Sequence, residues 1–429
     1  MSSIPIKSAK KNTYLIPILI IGALFFVFGF VTWVNGTLIP YLQLALELTT
    51  DQAIWVTFAF YISYALMAFP SSWLLKKTGL KNGMMIGLLI MALGSLVFIP
   101  AANARTYSLF LTGLFIIGTG LAVLQTASNP YVTILGSIES AAKRMSIMGI
   151  CNKGAGALAP LIIGAFLLKD IDGFEEQLIG ITAAEKTVLL NELASRVIWP
   201  YIIMAIVLII LALAVRFSSL PDISSEEETN PERTKEMTTD RKNWWNYPYL
   251  LIGFFALFLY VGVEVIAGDI IQAYGTELGI KLSVAKHFTT YTMIGMLVGY
   301  LLGIVLIPKY LKQEKALIIS AVLGILFSLG IVFTTGYTSV MFLALLGFAN
   351  AAVWPAIWPL ALDGLGKHIE AGSALLVIAI GGGAVVPQLW GQLSKFTGQQ
   401  NAFWILVPCY LFILFFAVYG HKIGKKVKY

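Results

Sequence analysis

Between Tyr14 and Tyr419 the chain returns repeatedly to runs of about twenty residues built almost wholly from apolar side chains. No other feature constrains the fold as tightly. A run of this length crosses the hydrocarbon of a bilayer, where each backbone N–H and C=O must be paired within its own segment, and a helix meets that demand. In the first part of the chain the runs are Tyr14–Val34 (continuing through VNGTLIPYLQ), Ala53–Leu75, Met84–Pro100, Leu109–Leu135, Ile147–Leu168 and Val197–Val215. The second part gives Tyr247–Gly275, Val284–Ile307, Ala316–Thr334, Val340–Leu362, Ala374–Leu393 and Phe403–Tyr419. The spacing therefore predicts an all-α membrane protein with twelve transmembrane helices. Composition excludes a soluble globular domain, since 58% of the 429 residues are hydrophobic and only 12% charged. The net charge of +7 is spread over alternate loops, which argues for membrane topology rather than a nucleic-acid partner. Cys151 and Cys409 offer no disulfide framework, and the three histidines form no metal cluster.

Two longer connections interrupt the rhythm. Lys169 to Arg196 is polar, with a helix-like piece around AAEKTVLLNELASR. Ser218 to Asn246 is rich in charge, Ser and Thr, cannot bury a core, and reads as a flexible linker. This divides the chain into a six-helix bundle over residues 1–217, a linker over 218–246 and a second bundle over 247–429. The basic stretch Met1–Thr13 leads into a first span with no small-residue cleavage site, so that span is expected to be retained. Lys76, Lys77, Lys81, Lys143, Arg144, Lys309, Lys312, Lys315 and Lys367 fall in one set of loops; the opposite set holds few basic residues, such as Arg105, Lys281 and Lys395. The positive-inside rule then puts both termini and the linker in the cytoplasm.

The halves repeat one another. GALAPLIIG at Gly156–Gly164 matches GAVVPQLWG at Gly383–Gly391, and IIGALF in the first span matches LIGFFALF in the seventh. Asn129–Pro130 corresponds to Trp358–Pro359. Such repeats imply a site between two similar bundles, near the midplane.

Charges inside the spans narrow the function. Glu264 and Asp269 lie in the seventh run, and an intramembrane acid costs roughly 2.5–3.5 kcal/mol on insertion scales, so it usually faces a cavity or partner. Five residues apart on a regular helix, the two acids point about 140° apart, with Asp269 nearer the expected membrane surface. Lys153 is the other charge within a span; it either pairs with Glu264 or Asp269 as a gate or built-in cation, or snorkels to the cytoplasmic surface. The Gly381–Gly383 run reads as close helix packing, and no P-loop, catalytic triad or metal constellation suggests an enzyme.

The segments NGTLIPYL, LQTASNPYVTILG, GICNKGAGALAP, YVGVEV, WPAIWPLALDGLGKH and GSALLVIAIGGGAVVP together resemble the major facilitator superfamily. Within it they are similar to the fucose/galactose/glucose cation symporters, along nearly the whole length. That resemblance implies two pseudo-symmetric six-helix bundles and a bacterial inner-membrane sugar permease driven by a cation gradient. The departures are specific. Gly36 and Gln125 stand where proton-coupled fucose permeases carry acids, and Lys76 replaces the acid of the Gly-x-Leu-x-Asp motif. Glu264 matches the YVGAEV-like pattern of glucose/galactose members, and the Asn-Gly pairing and ICNK look most like glucose or N-acetylglucosamine members.

A pyranose presents hydroxyls that donate and accept, and apolar C–H faces. Asn35, Gln125, Asn129 and Asn152 supply matching amides, although interhelical glue is their other reading. Trp33, Trp354 and Trp358 could stack on the sugar or belong to interfacial belts. The expected substrate is a neutral monosaccharide, either a hexose or an N-acetylhexosamine. Glu264 and Asp269 are the expected cation-coupling residues, with Na+ or H+ as the coupling cation and no other cofactor. The expected partners are the sugar and the lipid bilayer, with the protein acting as a monomer. A non-transporting sugar sensor or scaffold on the same fold, or an exporter of amphipathic drugs, is the alternative.

Overall fold

Backbone pairing inside apolar runs leaves helix as the one local solution, and the computed structural model contains no strand among its described residues. These are residues 15–134, 141–171, 173–178, 180–218, 220, 247–307, 310–365 and 369–425. The basic N-terminal stretch and most of the expected linker lie outside them. The first half holds α1 (Leu15–Trp33), α2 (Asn35–Ala45), α3 (Trp55–Asn103), α4 (Tyr107–Ile134), α5 (Ala141–Leu167), α6 (Ala183–Ser195) and α7 (Ile198–Phe217). The second holds α8 (Pro248–Val265), a π-helical turn (Ile266–Ile270), α9 (Ile271–Glu277), α10 (Phe288–Leu306), α11 (Gln313–Phe333) and α12 (Gly336–Asn350). It ends with α13 (Val353–Leu362), α14 (Ile369–Ile378), α15 (Gly382–Thr397) and α16 (Leu406–Val418).

Eleven helical stretches among the described residues are long and apolar enough to cross a membrane. One of them, Thr50–Asn103, has 54 residues, or about 80 Å of helix, more than twice a bilayer's hydrocarbon thickness. It breaks at Gly79, where φ of 75° and ψ of 168° are open to glycine and strained for any side chain. The break lies beside Lys77 and Lys81, so α3 supplies both the second and third spans, and the described residues make twelve crossings. The polar connection also folds: the Thr182 hydroxyl accepts from the Glu185 amide to cap α6, and Tyr41 ties α6 to α2 by donating to the Leu193 carbonyl at 2.5 Å.

Within the first half α3 packs on α4 and α7, and α1 on α5; within the second α12 packs on α10 and α11, and α8 on α15 and α16. The halves meet where α5 faces α10, α3 faces α15, and α2 faces the π turn and α9. Small residues set the closest approaches. A Cβ at Gly120 would stand 2.4 Å from the Gly87 carbonyl oxygen, so α3 and α4 touch backbone to backbone. The repeated motifs occupy matching places: Pro160 lies inside α5 and Pro387 inside α15, the fifth and eleventh spans. At the end away from the start of α1, Lys395 Nζ stands 2.7 Å from Asp51 Oδ2, and Ile54 fills the space over Gly391.

Gly120→Val should therefore force α3 and α4 apart at a cost of about 1–3 kcal/mol. Thermal unfolding of the purified protein in detergent reads this as a lowered midpoint, and an unchanged midpoint would show that the backbone contact is not needed.

Candidate functional site

The first and seventh crossings, which the repeat pairs, are both interrupted part-way along, as the tenth and eleventh are at Ala351–Ala352 and Ala379–Gly381. In the first span, α1 gives way to α2 at Val34, and Thr37 N–H reaches the Val34 carbonyl in a tightened turn. In the seventh, α8 opens into the π turn before α9 resumes. A π turn shifts hydrogen bonds to i→i+5 and admits an extra residue, which re-aims everything beyond it. Irregular backbone at this depth needs side-chain partners, and α10 provides them. Thr289 Oγ1 donates to the Gly268 carbonyl at 2.6 Å, and Thr292 Oγ1 donates to the Ala267 carbonyl at 2.8 Å.

The two interruptions meet face to face. A Cβ at Gly36 would lie 2.7 Å from Thr289 Oγ1, 2.9 Å from the Gly268 carbonyl oxygen and 3.4 Å from Asp269 Cα. Trp33 fills the adjoining space between Gly156 and Gly268, where added Cβ atoms would lie 2.4 Å and 2.0 Å from its ring. Gln272 on α9 closes the junction by donating through Nε2 to Thr37 Oγ1 at 3.1 Å and to Thr289 Oγ1 at 2.8 Å.

The charges gather here. Lys153 Nζ from α5 lies 2.7 Å from Glu264 Oε1 on α8 and 4.7 Å from the centre of the Trp33 ring. Both partners are buried, so Lys153 does not snorkel to a surface. The phenols of Tyr61, Tyr260, Tyr300 and Tyr410 lie within electrostatic reach of Glu264. Asp269 lies within the π turn and is fully buried. Glu264 lies within electrostatic reach of Asp269. The Gly36 amide approaches the Asp269 carboxylate, and neither carboxylate oxygen has a hydrogen bond of ordinary geometry.

The expected sugar ligands divide. Asn35 is buried at the head of α2, with its Nδ2 unpaired. Gln125 and Asn152 are half-buried; Gln125 Nε2 lies 3.5 Å from the Tyr64 hydroxyl and Asn152 Nδ2 lies 3.4 Å from the Phe25 carbonyl oxygen. Asn129 sits in α4 one turn beyond Gln125, and its side chain lies outside the described residues. Trp354 and Trp358 are half-buried and stack on each other at 5.3 Å and 21°; Tyr260, one turn before Glu264, lies 6.3 Å from Trp354. Trp33 is buried beneath the Lys153 ammonium instead of lying open to a sugar face. At Gly382 a Cβ would come within 1.8 Å of the Phe258 carbonyl oxygen, so the glycine run is a packing surface. Sequence reasoning missed Thr37, Tyr61, Gln272 and Thr289. Only Gln272, a polar residue three positions after Asp269, carried a signal that could have found it.

Breaking a buried ion pair strands a charge, whereas replacing both members by apolar groups is close to neutral. Lys153→Met should therefore destabilise the protein by about 3–5 kcal/mol. Lys153→Met combined with Glu264→Leu should recover most of that loss in the same thermal assay. A double variant no more stable than the single one would contradict the pairing.

The sequence profile of the Major Facilitator Superfamily matches residues 21–387. A glucose/galactose transporter of Brucella abortus biovar 1 (strain 9-941) is 34% identical over 418 residues, spanning 97% of this chain and 96% of that protein. The L-fucose-proton symporter of Escherichia coli (strain K12) is 28% identical over 418 residues, spanning 96% and 94%. Among solved structures, the transporter FucP in its outward conformation superposes with a TM-score of 0.70 at 28% identity, covering 95% of this chain and 99% of that one. A D-xylose-proton symporter gives a TM-score of 0.70 at 15% identity over 96% and 99%, a likeness of fold alone. These relatives are transporters, not enzymes.

Proposed function

The chain belongs to the Major Facilitator Superfamily, and on that premise we propose that it imports a neutral monosaccharide by cation symport with alternating access. The substrate is a glucose/galactose-type hexose or N-acetylglucosamine, and the cation is Na+ or H+. The protein works as a monomer in a bacterial inner membrane, with both termini cytoplasmic. One observation carries the reading: a buried cluster of Lys153, Glu264 and Asp269 sits where the interrupted first and seventh spans of two repeated halves meet. Interrupted helices at a repeat interface are how secondary transporters build substrate and ion sites.

The side chains fit a neutral sugar. Asn35, Gln125, Asn129 and Asn152 offer donors and acceptors in separate passages of the first half, and the Trp354–Trp358 stack offers flat apolar area from the second. Lys153 already has its carboxylate partner, which leaves a sugar phosphate without an obvious counter-charge. With termini inside, the Asp51–Lys395 pair and the Ile54–Gly391 contact hold the two halves together at the outer end. Glu264 and Asp269 couple the cation. Glu264 is neutralised by Lys153 in this state, and losing that acid leaves the buried ammonium without a counter-charge.

Counterflow of radiolabelled glucose, galactose and N-acetylglucosamine in proteoliposomes tests the proposal; a sensor on the same fold gives none. Asn35→Ala, Gln125→Ala and Asn152→Ala should each weaken sugar binding by about fivefold, the worth of roughly 1 kcal/mol of hydrogen bonding. Unchanged calorimetric affinity in all three would remove them from the sugar site. Glu264→Gln should abolish concentrative uptake while sparing exchange, and gradient-driven accumulation at the wild-type level would refute the coupling role.

A further inference from the structure

We propose that the bend of α3, with the adjoining end of α7, binds the headgroup of an anionic phospholipid. Every charged residue in these two helices is basic, and all four stand together. Lys76, Lys77 and Lys81 flank the break at Gly79, and Arg216 lies in the last turn of α7. The Lys81 ammonium donates to the Ser218 carbonyl at 2.8 Å, which joins the bend to the end of α7 two residues beyond Arg216. None of the four forms an ion pair among the described residues.

A cluster of cations by itself suits any counter-ion, and the side chains around this one narrow the choice to a lipid. Leu66, Phe69 and Trp73 are exposed and step three or four residues apart toward the exposed Lys76 and Lys77. One face of the second span therefore runs from apolar to charged. Ile210, Leu213 and Phe217 are likewise exposed on α7, and that face ends beside Arg216. Lys77 Nζ lies 3.9 Å from the centre of the Trp73 ring. An interfacial indole sits at the level of the headgroups, so an ammonium resting on its face is held at phosphate depth. A water-soluble acidic segment would cover the cations and leave the aromatic face bare. A phospholipid carries acyl chain and phosphate in the same order as these two helix faces.

Charge then selects among lipids. A zwitterionic headgroup brings no net charge to the four cations, whereas an anionic one offsets them, and each cation near the surface favours it about fivefold. The matching turn between α10 and α11 sets Glu314 between Lys312 and Lys315, so the carboxylate-free patch belongs to the first half alone.

Quenching of Trp73 fluorescence by lipids brominated on their acyl chains tests the site in the purified, reconstituted protein. Subtracting the emission of Trp73→Phe isolates the Trp73 contribution. In phosphatidylcholine vesicles, brominated phosphatidylglycerol should show a relative binding constant about fivefold or more above that of brominated phosphatidylcholine. Replacing Lys76, Lys77 and Arg216 together by Gln should bring the two lipids to parity. Lys312→Gln with Lys315→Gln should leave the preference intact. Equal quenching by both lipids in wild type overturns the site, whether buffer ions or the chain's own acidic residues 226–228 cover the cations instead. A preference that survives the triple substitution also overturns it, and so does one lost equally in the Lys312, Lys315 variant, which would mark overall charge and not a site.

Discussion

The close approach of Gly36 to Gly268 is the constraint on which the rest of the site depends. Two helices can bring their backbones this near only where neither carries a side chain at the crossing, and both crossings here are interrupted at that depth. The approach lets Gln272 cross from one half to Thr37 in the other, and it sets Asp269 opposite the Gly36 amide. It also confines Trp33 to a slot between two glycines, which fixes its ring beneath the Lys153 ammonium. A side chain at position 36 would push the π turn away and open the junction. Thus Gly36 is itself a structural requirement of this chain.

Much of the fold was legible in the sequence because the bilayer restricts the solutions so severely. Apolar runs of the right length had to be helices, and the lysines at the α3 bend and the glycines and prolines of the repeats punctuated them. Glu264 and Lys153 were legible for the same reason: a charge among apolar residues has to be explained. The site's finer geometry was not legible. A regular period of 3.6 residues does not describe the seventh run at Asp269, which lies fully buried within a π turn. Nothing in IAGDI announces an extra residue in the turn. Its stability comes from Thr289 and Thr292, some twenty residues away in sequence, which catch the displaced carbonyls.

Polar neutral residues shape this site as much as charges do. Thr37, Thr289, Thr292 and Gln272 read in sequence as ordinary helix glue. Packed together, Thr37 and Thr289 both accept from Gln272 Nε2, leaving Gln272 Oε1 buried without a partner, while Thr292 holds the Ala267 carbonyl. Such networks have consequences beyond their individual bonds, because a low-dielectric setting makes every unpaired group costly.

The position of the Lys153–Glu264 pair bears on how two halves can move without abandoning a buried salt bridge. Lys153 lies near the middle of α5, and Glu264 near the middle of the seventh crossing, so the pair is close to the level about which the halves would rock. In a rigid rotation, displacement grows with distance from the axis. The Asp51–Lys395 contact lies at the end of its helices, about 20 Å away at 1.5 Å per residue, and must part first. That outer pair is also the cheaper one to break, since both members are partly exposed and such pairs are worth about 1 kcal/mol or less. The buried pair, which is costly to break, sits where little movement is demanded of it. These two cross-half ion pairs are therefore graded in strength against the motion each must permit, as two bundles turning about a fixed charged centre would require.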